Sequence, residues 1–147
     1  LLLLLISFLG YAQDNEVDKK VDLLLKKMTL QEKIGQLNQY SDFWDFTGPV
    51  PKEGEAAKKY EAIKAGQVGA MLNVKGVKNI KKLQKIAVEE SRLGIPLLFG
   101  YDVIHGYKTI SPIPLAEAAS WDLEAIQKSA EIAAEEAASA GINWTFA

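Results

Sequence analysis

The chain has 147 residues, 48% of them hydrophobic and 24% charged, with one histidine and no cysteine. This length and composition suffice for one domain with a hydrophobic core. The net charge of -2 argues against nucleic-acid binding, which usually needs a basic patch or stripe. The lack of cysteine excludes disulfides and zinc-thiolate sites. One histidine among scattered carboxylates indicates neither a metal site nor a cofactor.

Residues 1–12 resemble the end of a secretory signal peptide. Leu1 to Leu9 form an almost purely apolar run that is too short to span a bilayer, and small residues precede an expected cleavage after Ala12. We therefore expect a partial signal peptide, no membrane span after its removal, and a periplasmic or secreted location. The alternative is a buried amino-terminal helix or strand.

Two helices are predicted next. The segment from Val17 to Lys27 has apolar residues at helical spacing. Thr29 and Glu32 have the spacing of a capping box, in which two side chains satisfy free backbone groups at a helix start. The second helix should therefore begin at Thr29 and bury Ile34 and Leu37.

The segment from Ser41 to Pro51 is predicted to be a loop, because its aromatic residues follow no period. Aromatic residues on such a loop either stack on sugar faces or cover one end of the fold. Asp42 and Asp45 in this loop, and Glu53 after it, have a spacing that suggests no acid/base pair.

From residue 52 onward, helical and strand patterns alternate. Three helices each end at a glycine: residues 52–65, 79–93 and a long helix from about residue 120 to 140. The long helix carries a stripe of residues suited to packing on a sheet: Ile126, Ala130, Ala133 and Ala137. Three apolar runs are predicted as buried strands: residues 68–74, 97–101 and 142–147. The order βαβαβ predicts a parallel sheet with right-handed crossovers.

Three parallel strands fit either a doubly wound sheet or the opening of a (β/α)8 barrel. No G-x-G-x-x-G joins a strand to a helix and no P-loop motif occurs, so nucleotide sites of these kinds have little support. The chain stops inside its third predicted strand, so we expect it to be a piece of a larger polypeptide.

Asp102 is the first candidate site residue, because the second predicted strand ends on it and the carboxyl ends of parallel strands bind ligands in α/β folds. His105, the only histidine, either supports Asp102 and the ligand or is a structural hydrogen-bonding residue. Asn73 ends the first predicted strand, where it is either a ligand contact or part of a turn. Trp121 and Asp122 are expected to anchor and cap the long helix.

Four motifs follow one another along the chain: Met28-Thr-Leu-Gln-Glu-Lys-Ile-Gly-Gln-Leu37, Gly100-Tyr-Asp-Val-Ile-His-Gly106, Pro112-Ile-Pro-Leu-Ala-Glu-Ala-Ala-Ser-Trp-Asp122 and Ala140-Gly-Ile-Asn-Trp-Thr-Phe-Ala147. Together they resemble glycoside hydrolase family 3, and more narrowly the amino-terminal part of its bacterial periplasmic β-glucosidases. The resemblance runs from about Val17 to Ala147. It implies an α/β fold: the first βαβαβ portion of a (β/α)8 TIM-like barrel with amino-terminal helices. Residues 13–147 would then be the amino-terminal part of the barrel domain, truncated in strand 3.

The resemblance implies that the full-length protein hydrolyses β-glucosides and releases terminal non-reducing β-D-glucose with retention of configuration. Retention requires a carboxylate nucleophile and a separate acid/base. In the family both lie beyond the part represented here, so we expect no catalytic residue in this chain and no activity from it alone. Its partners would be a β-glucoside or β-linked oligosaccharide and the carboxyl-terminal remainder of the same protein.

Asp102 matches the family's aspartate that hydrogen-bonds hydroxyl groups of the non-reducing glucose. With His105 and Asn73, it makes up the expected substrate-binding set. Two alternatives stay open: a β-xylosidase or β-N-acetylglucosaminidase of the same family, and a short product that binds sugar without cutting it. One departure from the family pattern is Ser111, which stands before Pro112 where an aromatic residue is commoner.

Overall fold

A computed structural model describes residues 16–41 and 52–146. Helix α1 (residues 16–27) comes first. The remaining elements alternate along the chain: α2 (Leu30–Gly35), β1 (Gln39–Ser41), α3 (Gly54–Lys64), β2 (Ala70–Leu72), α4 (Val77–Lys85), β3 (Leu98–Tyr101), α5 (Pro114–Ala119), α6 (Leu123–Ser139) and β4 (Trp144–Thr145). Helix α4 continues into a π-helical turn at Ile86–Glu90. Among the described helices, none is long and apolar enough to cross a membrane. The predicted signal peptide lies outside the described residues, as does all but the first residue of the predicted loop at 41–51.

The four strands form one parallel sheet in the order β1-β2-β3-β4. Met71 of β2 lies opposite Tyr40 of β1 and Phe99 of β3, and Gly100 of β3 lies opposite Trp144 of β4. Each strand thus pairs with the next one along the chain, and helices connect β1 through β4. All carboxyl ends therefore lie at one edge of the sheet, as the predicted parallel α/β arrangement requires.

Strand β1 was not predicted from the sequence, so the sheet has four strands where three were expected. Its residues are Gln39, Tyr40 and Ser41, which form no apolar run and are at most half-buried. A segment this short and polar becomes a strand because β2 supplies hydrogen-bonding partners. As a result, β4 is the fourth strand of the sheet and not the third.

The core fills the space between the sheet and helices α3, α4 and α6. Its largest fully buried side chains come from α3, α4 and the strands with their flanking residues: Tyr60, Ile63, Met71, Val74, Leu83, Leu97 and Phe99. The predicted apolar face of the helix at residues 79–93 is confirmed, since Ile80 and Leu83 of α4 and Ala87 of the π-helical turn are all buried. On α6, Ala133 and Ala137 are buried as predicted, Ile126 is half-buried, and Ala130 is exposed. Helix α5 was not predicted, and Pro114 occupies its first position, where a missing N–H costs nothing.

Helix α2 begins with the predicted capping box. Thr29 Oγ1 accepts a hydrogen bond from Glu32 N at 3.2 Å, and the Glu32 carboxylate accepts one from Thr29 N at 2.8 Å. The same carboxylate accepts a hydrogen bond from Arg92 Nε at 3.0 Å, which links α2 to the segment after α4. These contacts, with that of Arg92 largest, lower the pKa of Glu32 from 4.5 to about 2.

The prediction that α2 buries Ile34 and Leu37 is wrong, because their side chains are 59% and 87% exposed. Glu32 and Gly35 are the buried residues instead. Gly35 lies directly on the backbone of Gln67, where an added Cβ would come within 2.4 Å of the Gln67 Cα. This close backbone approach decides which side of α2 faces inward.

Candidate functional site

The candidate site is the carboxyl edge of the sheet. Asn73 directly follows β2, Asp102 follows β3, and Phe146 follows β4. The backbone ladder reaches these residues, since Asn73 N donates to Gly100 O at 3.0 Å and Phe146 N donates to Tyr101 O at 3.2 Å. The structure therefore brings two of the predicted site residues, Asn73 and Asp102, to the same edge on neighbouring strands.

Asp102 projects away from the helix-side core. Phe99 and Val103 are buried in that core and Tyr101 packs against it, whereas Asp102 is exposed between them. Side chains alternate between the two faces of a strand, so this pattern directs Asp102 toward the opposite face. No described residue forms an ion pair or a side-chain hydrogen bond with its carboxylate, which leaves the oxygens available to accept hydrogen bonds from a ligand.

An aromatic pair lies beside Asp102 on the open face of the sheet. The rings of Trp144 and Phe146 are tilted by 42° with centroids 4.7 Å apart. They can approach β3 because Gly100 has no side chain, and an added Cβ there would lie 2.7 Å from Phe146 Cε2. Leu98 and Trp144 on this face remain 49% and 40% exposed, so the described residues leave it open.

These aromatic residues were not among the predicted site residues. The sequence feature that could have indicated this aromatic pair is Gly100, a glycine inside a strand and two residues before Asp102. Such a glycine often marks the close approach of a ligand or another chain segment.

His105 lies in the loop that leaves β3. Its carbonyl oxygen accepts a hydrogen bond from Ser111 N at 2.9 Å, and Ile104 and Gly106 form an isolated bridge across it. Gly106 has φ of 111°, and a Cβ there would collide with Thr109 O at 1.9 Å, so the turn requires glycine. The backbone of His105 closes the loop, and its imidazole is exposed.

Tyr107, in the same loop, packs edge-on against Tyr101 with ring centroids 5.3 Å apart. Burial, and to a lesser extent Tyr101, raises the pKa of Tyr107. The phenol therefore stays protonated at neutral pH, and its ring anchors the loop to the end of β3.

Asn73 adopts a left-handed backbone conformation with φ of 63°. Asparagine tolerates this region better than most residues, so Asn73 terminates β2 in the manner of a turn. Its side chain is half-buried and makes no hydrogen bond with the described residues. Both sequence interpretations of Asn73 are thus compatible with its position.

The structure describes three of the other residues considered in the sequence analysis: Asp122, Trp121 and Glu53. Asp122 caps α6 as predicted, with Oδ1 accepting from Ala125 N at 3.0 Å. Trp121 does not anchor that helix, because its side chain is 91% exposed. Glu53 precedes α3 without a capping hydrogen bond, and the loop aspartates before it lie outside the described residues. Within residues 16–41 and 52–146, no group of three or more acidic or histidine side chains could hold a metal ion.

The comparison with known proteins is consistent across sequence and structure. Residues 29–147 match the glycosyl hydrolase family 3 N terminal domain. The periplasmic beta-glucosidase of Salmonella typhimurium is 45% identical over 131 residues, which cover 88% of this chain and 16% of that protein. The lysosomal beta glucosidase of Dictyostelium discoideum is 31% identical over 152 residues, covering 88% of this chain and 18% of that protein.

Solved structures agree with these matches. The beta-glucosidase from Listeria innocua in complex with isofagomine superposes with a TM-score of 0.70 at 39% identity, covering 88% of this chain and 17% of that chain. A mutant of the Listeria innocua enzyme in complex with laminaribiose superposes with a TM-score of 0.74 at 36% identity, covering 88% of this chain and 18% of that chain. The chain thus spans less than a fifth of the length of these relatives. The chain belongs to glycosyl hydrolase family 3, and its parallel sheet with flanking helices is part of that family's amino-terminal, TIM-barrel-like α/β domain.

Proposed function

We propose that the full-length protein is a retaining β-glucosidase and that this chain supplies part of its glucose-binding surface. The observation that carries the proposal is the position of Asp102 at the carboxyl end of β3, where its carboxylate is exposed and has no partner among the described residues. It stands in a chain that shares 45% identity with a periplasmic beta-glucosidase over 131 residues. The substrate class is a β-glucoside or a β-linked glucose oligosaccharide.

Asp102 binds the sugar by accepting hydrogen bonds from two neighbouring hydroxyl groups. A carboxylate has two oxygens and no donor, so it suits a pair of vicinal hydroxyls, and hydrogen bonds to a charged acceptor are stronger than neutral ones. Because Asp102 has no partner to give up among the described residues, the contact forms without breaking another. Where it strengthens in the transition state, it accelerates the reaction.

The neighbours of Asp102 complete the binding surface. Trp144 and Phe146 present aromatic rings next to Gly100 on the open face of the sheet, where the apolar C–H face of a pyranose can pack. His105 and Asn73 flank Asp102 with exposed and half-buried polar groups that can donate hydrogen bonds. In this proposal, Asp102 orients the glucose and the other groups restrict where the ring can lie.

The nucleophile and the acid/base belong to parts of the full-length protein outside this chain. A retaining mechanism needs two carboxyl groups roughly 5 Å apart, one to attack the anomeric carbon and one to protonate the leaving group. Asp102 is assigned to neither role. Because this proposal assigns neither group to the chain, we propose that it does not hydrolyse glucosides by itself.

The test is Asp102→Asn in the full-length protein, assayed by hydrolysis of a chromogenic β-glucoside. Hydrogen bonds to charged groups contribute about 1.5–3 kcal/mol each. Losing the full contribution of two such bonds would lower kcat/KM by roughly 10²- to 10⁴-fold, and this range is an upper limit for Asp102→Asn because asparagine keeps one acceptor oxygen. The matched control is Asp122→Asn, an exposed aspartate at the start of α6 where asparagine caps equally well. Activity of Asp102→Asn equal to that of the control would remove Asp102 from the binding surface.

The same assay separates the sugar specificities that the family allows. Aryl β-xyloside and aryl N-acetyl-β-glucosaminide are compared with the β-glucoside, and the proposal requires the highest kcat/KM for the glucoside. A periplasmic or secreted location is also proposed, on the basis of residues 1–12 and the periplasmic relative. Fractionation of the source cells, followed by β-glucosidase assay of each fraction, tests it.

A further inference from the structure

The loop that carries Asp102 and His105 is tied to helix α6 by one carboxylate, that of Glu136. Glu136 Oε2 accepts hydrogen bonds from Lys108 N at 2.7 Å and Thr109 N at 2.8 Å. Glu136 Oε1 accepts a third from Thr109 Oγ1 at 2.7 Å. Both oxygens of the side chain are therefore committed to residues 108–109, at the far end of the loop from β3.

Among the described residues, Glu136 provides the only hydrogen bonds to Lys108 and Thr109. The beginning of the loop is anchored by buried Val103 and by Tyr107, and Ser111 N closes it onto the His105 carbonyl. By contrast, Lys108 and Thr109 are exposed, so burial does not hold them. Their backbone N–H groups are satisfied by Glu136 alone.

Helix α6, which carries Glu136, is held in place by packing against the core and by a helix cap. Ala133 and Ala137, on either side of Glu136, are buried against the core, and Asp122 caps the helix start. A carboxylate near the carboxyl end of a helix faces the negative end of the helix dipole, so Glu136 does not serve the stability of its own helix. Hydrogen bonds from the Thr109 backbone, the Thr109 hydroxyl and the Lys108 backbone nevertheless lower the pKa of Glu136. The carboxylate is held in its charged form by the loop that it binds.

We propose that Glu136 is a positioning residue for glucoside hydrolysis: it fixes the 102–111 loop against α6 and so sets where Asp102 and His105 meet the sugar. This proposal rests on the proposed role of Asp102. Glu136 itself touches no substrate. Its effect arises because a misplacement of about 1 Å in a binding group can cost up to 10²-fold in rate.

The test compares Glu136→Ala with Glu136→Gln in the full-length protein. Alanine removes all three hydrogen bonds, and we expect kcat/KM for a chromogenic β-glucoside to fall by roughly 10- to 100-fold. Glutamine can still accept from the two backbone N–H groups and donate to the Thr109 hydroxyl, so it should restore most of the activity. The matched control is Glu131→Ala on the same helix, whose carboxylate binds Gln127 and Lys128 and no loop residue.

A double-mutant cycle separates this proposal from the one on which it rests. If Glu136 acts through Asp102, then Glu136→Ala has little further effect in the Asp102→Asn background. An equal loss in both backgrounds, or an equal loss in Glu131→Ala, would overturn the positioning role. A normal Asp102→Asn enzyme would instead refute the proposed binding role of Asp102.

If Glu136→Ala does not fold, Thr109→Val serves in its place. This substitution removes only the hydroxyl donor and keeps both backbone hydrogen bonds. It should then reduce kcat/KM in the same direction by a smaller factor, again without effect in the Asp102→Asn background. Full activity of Thr109→Val, or an equal loss with and without the Asp102→Asn substitution, would contradict the proposal.

Discussion

Replacing Gly100 by alanine should displace the aromatic pair beside Asp102. An added Cβ would lie 2.7 Å from Phe146 Cε2, 3.2 Å from Phe146 Cζ and 3.6 Å from Leu72 Cδ1. The Phe146 ring must therefore move by about 0.7 Å to restore an ordinary contact of 3.4 Å. Gly100 does not have a positive φ, so the substitution introduces this collision without backbone strain.

The loss of stability expected for Gly100→Ala depends on how far the Phe146 ring can move. Overpacking a well-filled site costs about 1–3 kcal/mol. Phe146 is only half-buried, so its ring can turn outward and the cost in unfolding free energy should lie near 1 kcal/mol. The loss of activity should be larger, roughly 10-fold or more in kcat/KM, because the moved ring borders the proposed glucose surface.

The assay is urea unfolding and β-glucoside hydrolysis of the full-length protein, measured for Gly100→Ala in two backgrounds. In the Phe146→Leu background the side chain lacks the two ring atoms that collide with the new Cβ, so Gly100→Ala should be nearly neutral there. Equal effects of Gly100→Ala on stability in both backgrounds would refute the collision as the cause. Unchanged kcat/KM in Gly100→Ala would exclude the aromatic pair from the site.

Two further predictions concern the scaffold. Gly69→Ala places a Cβ 2.2 Å from the Gln36 carbonyl oxygen, a backbone atom that cannot rotate away, so we expect a loss above about 3 kcal/mol or failure to fold, measured by urea unfolding. A loss below that of Gly100→Ala would contradict this. The lowered pKa of Glu32, about 2 against 4.5, means that its pairing with Arg92 stabilises the fold above pH 4.5 and weakens as pH falls toward 2. Glu32→Gln should therefore lower Tm at pH 7 and lower it less at pH 3, and a pH-independent difference would refute the pairing.

Features encoded by short stretches were predictable from the sequence. The capping box at Thr29, the helix cap at Asp122 and the strand that ends just before Asp102 depend on residues within a few positions of one another. Local backbone hydrogen bonding and hydrophobic periodicity determine such elements. The burial of Ile34 and Leu37 was mispredicted because burial depends on contacts between segments that are distant in the chain. Periodicity identifies which side of a helix is apolar, while the approach of residues 66–67 to Gly35 decides which side is covered.

The sequence by itself determined the α/β alternation, the parallel order of the strands and the motif that delivers Asp102 to a strand end. Only the tertiary structure decided that β1 joins the sheet, that Phe146 lies over Gly100, and that Glu136 holds a loop 27 residues away through Thr109. These contacts join residues far apart in the chain, and no local pattern specifies them. They form only when the parallel sheet assembles and places segments that are distant in the chain side by side.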